Sequence, residues 1–329
     1  MPQLGVFFSQ PNPVATVVRV AQTAERLGYP AFFVSDHMAR DPFVALTACA
    51  LSTTTITLGT AVLPTFTHHP VAAAVAAASL ESLAPGRFIF GIGTSHQVTI
   101  EDRLGIPWRR PVAHLREYLQ IVTALHRGED VAFDGEFFRV HYQLPSPPSA
   151  PIPIYLGPSR PRLYAMSGEL ADGVILNWAD PTYLAARMPE LTNSARAAGR
   201  DPHDITICYA LFCEVTDSPA ATDAARQRFR DQLVFFLQPE TYRLRFRAMG
   251  FDEEIDRIES AQASDQPVAP LITDPMLHAV SAIGEPDACR ARITEYRHSG
   301  VDLPLIVPLA IQNGDPAPIE RTLTALAAE

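Results

Sequence analysis

Short apolar runs alternate along most of the chain with longer stretches whose apolar positions recur every three or four residues. The runs read as strands and the stretches as amphipathic helices. Leu4–Phe8 is the first strand, followed by a helix that opens at Pro13 and ends at Leu27 before Gly28. Proline at the start and glycine past the end suit the free backbone groups of helix termini. Ala31–Val34 is the second strand, and Asp41-Pro42 opens a helix to Ser52. Ile56–Val62, a helix from Pro70 to Leu83, a Pro85-Gly86 turn and Arg87–Gly93 continue the rhythm.

A loop from Thr94 to Arg110 and a helix from Pro111 to His126 come next. Two short strands about Asp134-Gly135 form a hairpin outside the rhythm, an insertion covering about residues 129–142. Leu144–Pro153 holds five prolines and is an extended connector. The alternation resumes with Ile154–Gly157, Pro161–Leu170, Gly173–Leu176, Thr182–Ala198, Ile205–Leu211 and Ala220–Leu237. A charged helical insertion spans about residues 238–282. Glu285–Ser299, Leu303–Pro308 and Pro318–Ala328 close the chain.

Eight strands, each followed by a helix, predict one (β/α)8 TIM barrel with insertions over residues 1–329. The strands are apolar almost throughout, as strands buried on both faces must be. No fixed-period repeat points to a solenoid.

Composition narrows the function. The 26 basic and 36 acidic residues give a formal charge of -10, which argues against a nucleic-acid partner. The N-terminus lacks a basic, long apolar leader, and the alanine-rich run from Val71 to Ser79 is about half the ~20 residues of a membrane span. The expectation is a cytoplasmic protein with no membrane partner and a small-molecule substrate. The four cysteines form no C-x-x-C pair, so a disulfide framework is not expected.

A barrel of this kind carries its chemistry just after the strands. The second strand is followed by Ser35-Asp36-His37. A histidine can exchange a proton near neutral pH, and a neighbouring carboxylate can fix its tautomer. The plainer alternative makes Asp36 a cap and His37 a solvated loop residue. The third strand leads into a mouth loop with Phe66 and the pair His68-His69. No ligand spacing accompanies that pair, so no metal is expected. Gly91-Ile92-Gly93-Thr94-Ser95-His96 lacks the third glycine of a dinucleotide fingerprint. Its glycines suit close approach of a ligand to the backbone. Gly157-Pro158-Ser159-Arg160, at a helix start, is either a phosphate site or an ordinary turn. Asn177 and Trp178 follow the sixth strand, where they line a pocket or cover the rim.

Together, Ser35-Asp36-His37, Leu58–Val62 with Thr67-His68-His69-Pro70, and Leu80–Thr94 resemble the bacterial luciferase-like superfamily. Ala171–Trp178 and Ile283-Gly284-Glu285-Pro286 are similar to it as well. The Ser-Asp-His and Leu-Ala-Pro-Gly-Arg segments most resemble its deazaflavin (coenzyme F420) branch. The resemblance implies a (β/α)8 fold, hydride transfer to or from a deazaflavin ring, and a homodimer. It makes His37, with Asp36, the catalytic pair. It places Ser35, Ala61, Val62, Thr94, His96 and the phosphate loop Gly157, Pro158, Ser159 and Arg160 at the cofactor, with a cis peptide at Ala61–Val62. Phe66, Asn177 and Trp178 would line the substrate pocket.

Two positions depart from the sugar-phosphate dehydrogenase of that branch. His96 and Gln10 stand where it has glutamates, so the substrate must differ. The reading is a coenzyme F420-dependent oxidoreductase with His37 as general acid/base. The alternatives are an FMN-dependent luciferase-like monooxygenase, and a catalytically silent member that binds a ligand or only forms a dimer.

Overall fold

The computed structural model describes residues 4–9, 12–36, 40–309 and 317–327. His37 and Gln10 therefore lie outside the described residues. The first half of the fold comprises β1 (Gly5–Phe8), α1 (Val14–Arg26), β2 (Ala31–Val34), α2 (Pro42–Ser52), β3 (Thr57–Thr60), β4 (Leu63–Pro64), α3 (Pro70–Leu83), β5 (Phe88–Gly93), α4 (Pro111–His126) and the hairpin β6 (Asp130–Asp134) and β7 (Arg139–Gln143). Then follow β8 (Ile154–Leu156), α5 (Pro161–Leu170), β9 (Gly173–Asn177), α6 (Pro181–Ala197), β10 (Thr206–Val215), α7 (Pro219–Phe236), α8 (Glu240–Ala248), α9 (Asp252–Ala263), α10 (Asp274–Val280), β11 (Ser281–Gly284), α11 (Pro286–His298), β12 (Leu303–Pro308) and α12 (Ala317–Leu326).

Strands β1, β2, β3, β5, β8, β9, β10 and β12 pair in parallel, and β12 returns to β1 to close an eight-stranded barrel. The pleat sorts their side chains. Phe7, Ala31, Phe33, Ile175, Cys208, Ala210, Leu305 and Val307 belong to the interior cluster. Their neighbours Val6, Phe8, Phe32, Val34, Val174, Leu176, Tyr209 and Ile306 pack outward against the helices. Successive side chains of a strand point to opposite faces, so an all-apolar run serves both layers. Full burial contributes about 1.5–3 kcal/mol for each large apolar side chain.

Three features differ from the sequence expectation. The run Ile56–Val62 is not one strand: the chain breaks between β3 and β4, and the Ala61–Val62 peptide is cis. The seventh strand runs on to Val215, and β11 pairs with its extension at Phe212–Val215. Phe212 and Cys213 also pair with β12, so β11 occupies the edge that β9 covers lower down. Ser281 and Ala282, read as the end of a helical insertion, are thus sheet residues. Four residues with no alternation gave no signal for a strand. Finally, the loop after β5 contains a π-helical turn, Val98–Arg103, a form frequent at functional sites.

The helical insertion does not stand apart from the barrel. Tyr242, Phe246, Ile255 and Met276 of the insertion share one buried cluster with Phe229 and Leu233 of α7 and with the barrel interior. Helices α7 to α10 therefore cap the C-terminal mouth.

Candidate functional site

Two cavities meet beneath that cap. The inner one, about 280 Å³, lies in the barrel mouth against Ser35, Asp36, Ala61, Val62, Asn177 and Trp178. The outer one, about 1110 Å³, runs past Thr94, Trp108, Ser159, Arg160 and Arg162. Ser95, His96, Val98, Gln238 and Pro239 border both.

Val62, which borders the inner cavity, packs against two glycines. A Cβ on Gly93 would lie 2.7 Å from Val62 Cγ2, and one on Gly157 3.3 Å from Val62 Cγ1. Bare backbone at Gly93, on the fourth barrel strand, makes room for the Val62 side chain, and Gly157, after the fifth, leaves it slack. Beside it, Ser35 Oγ is buried with no hydrogen-bond partner among the described residues. A buried hydroxyl in that state suits a polar group of a ligand. Asp36 Oδ2 lies 3.9 Å from Nε2 of His68. His69 caps α3 by accepting from the Val71 N–H at 3.3 Å. The histidine pair thus divides its work, one side chain toward the mouth and one at a helix start. Among the described residues no group of three His, Cys, Asp or Glu side chains could hold a metal ion.

Ser95 and Trp178, each following a barrel strand, hold left-handed backbone with φ of 56° and 53°. Such conformations cost on the order of 1–3 kcal/mol and concentrate at functional sites. The turn drives Trp178 into an aromatic group, with ring centroids 4.6 Å from Phe212, 4.5 Å from Phe236 and 5.7 Å from Tyr242.

His96 reaches across to the insertion. Its Nε2 lies 2.9 Å from the Tyr242 hydroxyl. Burial, followed by the nearby Arg245 and Arg160 guanidiniums, pushes its pKa down to about 4, so the ring is neutral at physiological pH. The Tyr242 phenol is pushed up by its own burial. Arg245 donates to the Asn177 carbonyl, to Asn177 Oδ1 at 3.3 Å and to the Ser159 carbonyl at 3.3 Å. On the outer side, Trp108 Nε1 donates to the Thr94 carbonyl at 3.0 Å, and the Arg160 guanidinium lies 5.8 Å from the Trp108 ring.

The structure brings together Ser35, Asp36, Ala61, Val62, His96, Asn177 and Trp178 at the inner cavity, and Thr94, Ser159 and Arg160 at the outer one. Gly157 and Pro158 lie on the same loop just before Ser159. Phe66 borders neither cavity: its ring lies flat on His114 at 3.9 Å and tilts toward Trp108. An aromatic partner on α4 draws it away from the mouth. Sequence reading missed Tyr242 and Arg245. Their i, i+3 spacing puts both on one face of α8, but nothing local reveals that this face meets the barrel.

Comparison with known proteins accords with this arrangement. The sequence profile of the luciferase-like monooxygenases matches residues 2–303. A 5,10-methylenetetrahydromethanopterin reductase of Methanolobus tindarius is 30% identical over 303 residues, covering 90% of this chain and 91% of the relative. The solved coenzyme F420-dependent tetrahydromethanopterin reductase of Methanopyrus kandleri superposes with a TM-score of 0.85 at 22% identity, over 99% of this chain and 97% of that one. The FMN complex of the oxygenating constituent of a Pseudomonas putida 3,6-diketocamphane monooxygenase does so at 0.77 and 17% identity, over 99% and 97%. The chain belongs to the luciferase-like monooxygenase family, with deazaflavin-dependent oxidoreductases among its relatives.

Proposed function

We propose that this protein is a coenzyme F420-dependent oxidoreductase that moves a hydride between the deazaflavin and a small organic substrate. The observation that carries the reading is the paired cavity. A narrow inner chamber with aromatic and polar walls opens into a wider trench whose wall holds Ser159 and Arg160 at the start of α5. A flat ring bearing a phosphate-containing side chain fits that division. The name of a relative in Nakamurella multipartita, an F420-dependent glucose-6-phosphate dehydrogenase 34% identical over 197 residues, supports a deazaflavin over a nicotinamide.

The deazaflavin would supply the hydride-accepting or hydride-donating carbon. The chain's own residues do the rest. Ser35, Ala61 and Val62 would hold the ring, with Thr94 and His96 at its edge, and Gly157, Pro158, Ser159 and Arg160 would hold the phosphate. Trp178, Phe212 and the insertion helices exclude water from the chamber. Asn177 and Trp178 would border the substrate. His37 would exchange the proton at the substrate heteroatom, with Asp36 orienting it. With an inner volume of about 280 Å³, the substrate is small.

Titration of the purified protein with F420 and with FMN tests the assignment. Tighter quenching of F420, with no oxygen consumed during turnover, is the expected result. Tighter FMN binding with oxygen uptake would replace it by the monooxygenase reading, which the fold shared with the FMN-bound camphane enzyme supports. A His37→Ala variant should bind F420 and lose turnover. Undiminished turnover in that variant removes the acid/base role.

A homodimer is part of the proposal. Helices α2 and α3 are rich in apolar residues, and Val44, Leu51, Val75 and Leu83 stand exposed on them. Exposed apolar patches mark interfaces.

A further inference from the structure

The π-helical turn Val98–Arg103 divides the two cavities, and it sorts its side chains by charge. Thr99 and Arg103 border the inner cavity only, whereas Gln97, just before the turn, and Asp102 border the outer one only. Glu101, the other acid of the turn, accepts from Gln97 Nε2 at 2.7 Å and borders neither cavity. The turn thus presents its one arginine to the inner chamber and keeps its carboxylates away from it.

Arg103 stands exposed at the chamber rim, its guanidinium 5.3 Å from the ring of Phe235 on α7, which is itself 51% exposed. Its Nη2 donates to Gln238 Oε1 at 3.4 Å, longer than an ordinary N–H···O bond. No carboxylate lies within ion-pair distance of Arg103 among the described residues, whereas Arg110 and Arg116 at the outer cavity pair with Glu136 and Glu169. A guanidinium has five N–H donors in a fixed fork, so most of those of Arg103 are left for a ligand.

The rest of the chamber supplies the complement. Asp36 borders it from the end of β2, one residue before His37, and His96 is neutral. Arg103 is the one standing positive charge on the chamber wall among the described residues. Phe7, Val62, Trp178, Phe212 and Phe236 make the same wall apolar elsewhere. A ligand reaching from the strand ends to the cap therefore meets an acid at one end, aromatic surface along its body and a cation at the other end.

We propose that Arg103 is the specificity residue of the chamber and that the substrate is a small carboxylic acid with an aryl or short alkyl body, its carboxylate received by the Arg103 fork. A carboxylate is planar and accepts two parallel N–H bonds from a guanidinium. Its single charge matches the single cation, where a phosphate dianion would leave one charge uncompensated in a chamber that also holds Asp36. The inference rests on the chamber being the substrate site of a deazaflavin enzyme, and the test separates the two.

The parent protein and Arg103→Gln are titrated by calorimetry with benzoate, phenylacetate and butyrate, each against its neutral amide, with and without F420 and at constant ionic strength. F420 itself is titrated by fluorescence. The parent should bind at least one acid about tenfold tighter than its amide, as charge-assisted hydrogen bonds allow. Arg103→Gln, which keeps a donor and loses the charge, should bind that acid and its amide alike, with the parent's affinity for F420 and the parent's melting temperature, because the side chain is exposed. The proposal is overturned if no acid is preferred to its amide or if Arg103→Gln keeps the preference. It is also overturned if that variant loses F420 binding along with the preference, since Arg103 would then serve the cofactor. An acid preference that depends on Arg103, in a protein that binds no F420, supports the carboxylate site and removes the deazaflavin reading. F420 binding without any acid preference does the reverse.

Discussion

The hydroxyl of Tyr242 lies 2.9 Å from Nε2 of His96, and the two rings meet edge-on at 4.8 Å. This contact joins helix α8 of the insertion to the loop that follows β5. It also closes the inner cavity on one side, since both residues border it.

Removing only the hydroxyl therefore isolates the polar part of the contact. Tyr242→Phe keeps the ring against His96 and Trp178 and should cost about 1 kcal/mol, the net worth of one hydrogen bond. Tyr242→Ala also empties a buried ring site and should cost about 3–5 kcal/mol. Urea denaturation of the three proteins reads the difference. Equal losses would mean that the ring contributes nothing.

Acid should destabilise the fold through its buried histidines. Burial pushes His96 and His114 down to about 4 from the ordinary 6.5; Arg245 and Arg160 push His96 further down, while Glu117 acts the other way on His114. His126 is lowered as well, again by burial. The unfolded chain takes up these protons near pH 6.5, whereas the folded chain refuses them until about pH 4. Stability is thus full above pH 6.5 and falls as pH drops toward 4. Melting temperatures across that window should decline, and His114→Gln should flatten the decline. An unchanged slope in that variant would show that His114 is not held neutral.

The apolar faces of α2 and α3 predict a self-association that one charge disrupts. Leu51 is 72% exposed, so Leu51→Glu should shift the isolated chain's stability by no more than about 0.5 kcal/mol. In sedimentation the parent should run as a dimer and the variant as a monomer. A parent that sediments as a monomer would refute the interface.

Glycines at the strand ends should respond unequally to one added methyl group. A Cβ on Gly91 would fall 1.8 Å from the Thr60 carbonyl oxygen, so adjacent barrel strands must part. Gly91→Ala should cost on the order of 3 kcal/mol or more, the upper end of overpacking. On Gly157 the Cβ would meet only Val62 methyls, at 3.3 and 3.4 Å. Gly157→Ala should lose under about 1 kcal/mol of stability while weakening F420 binding. Paired denaturation and titration experiments check both halves.

The sequence by itself determined the barrel. Runs such as Ala31–Val34 and Leu303–Pro308 are apolar at every position, and only a strand buried on both faces needs that. Proline at helix starts and glycine past helix ends placed the boundaries. The strand-end segments Ser35-Asp36, Thr94 to His96 and Ser159-Arg160 were legible because a parallel barrel gathers strand ends at one rim, and those segments do border the two cavities. The tertiary structure alone decided what faces them. The pairing of β11 with the extension of β10 leaves no periodic trace in four residues. Phe66 turns to His114 because that ring lies on α4, some fifty residues away in sequence. The region 240–275 is expected from sequence to cover the mouth, but only the docking of α8 there singles out Tyr242 and Arg245 within it. There, contacts 146 residues apart to His96 and 68 apart to Asn177 turn one face of that helix into a wall of the site. Local patterns encode each element's period and ends. Which faces meet across the barrel mouth is set by the packing of elements far apart in the chain.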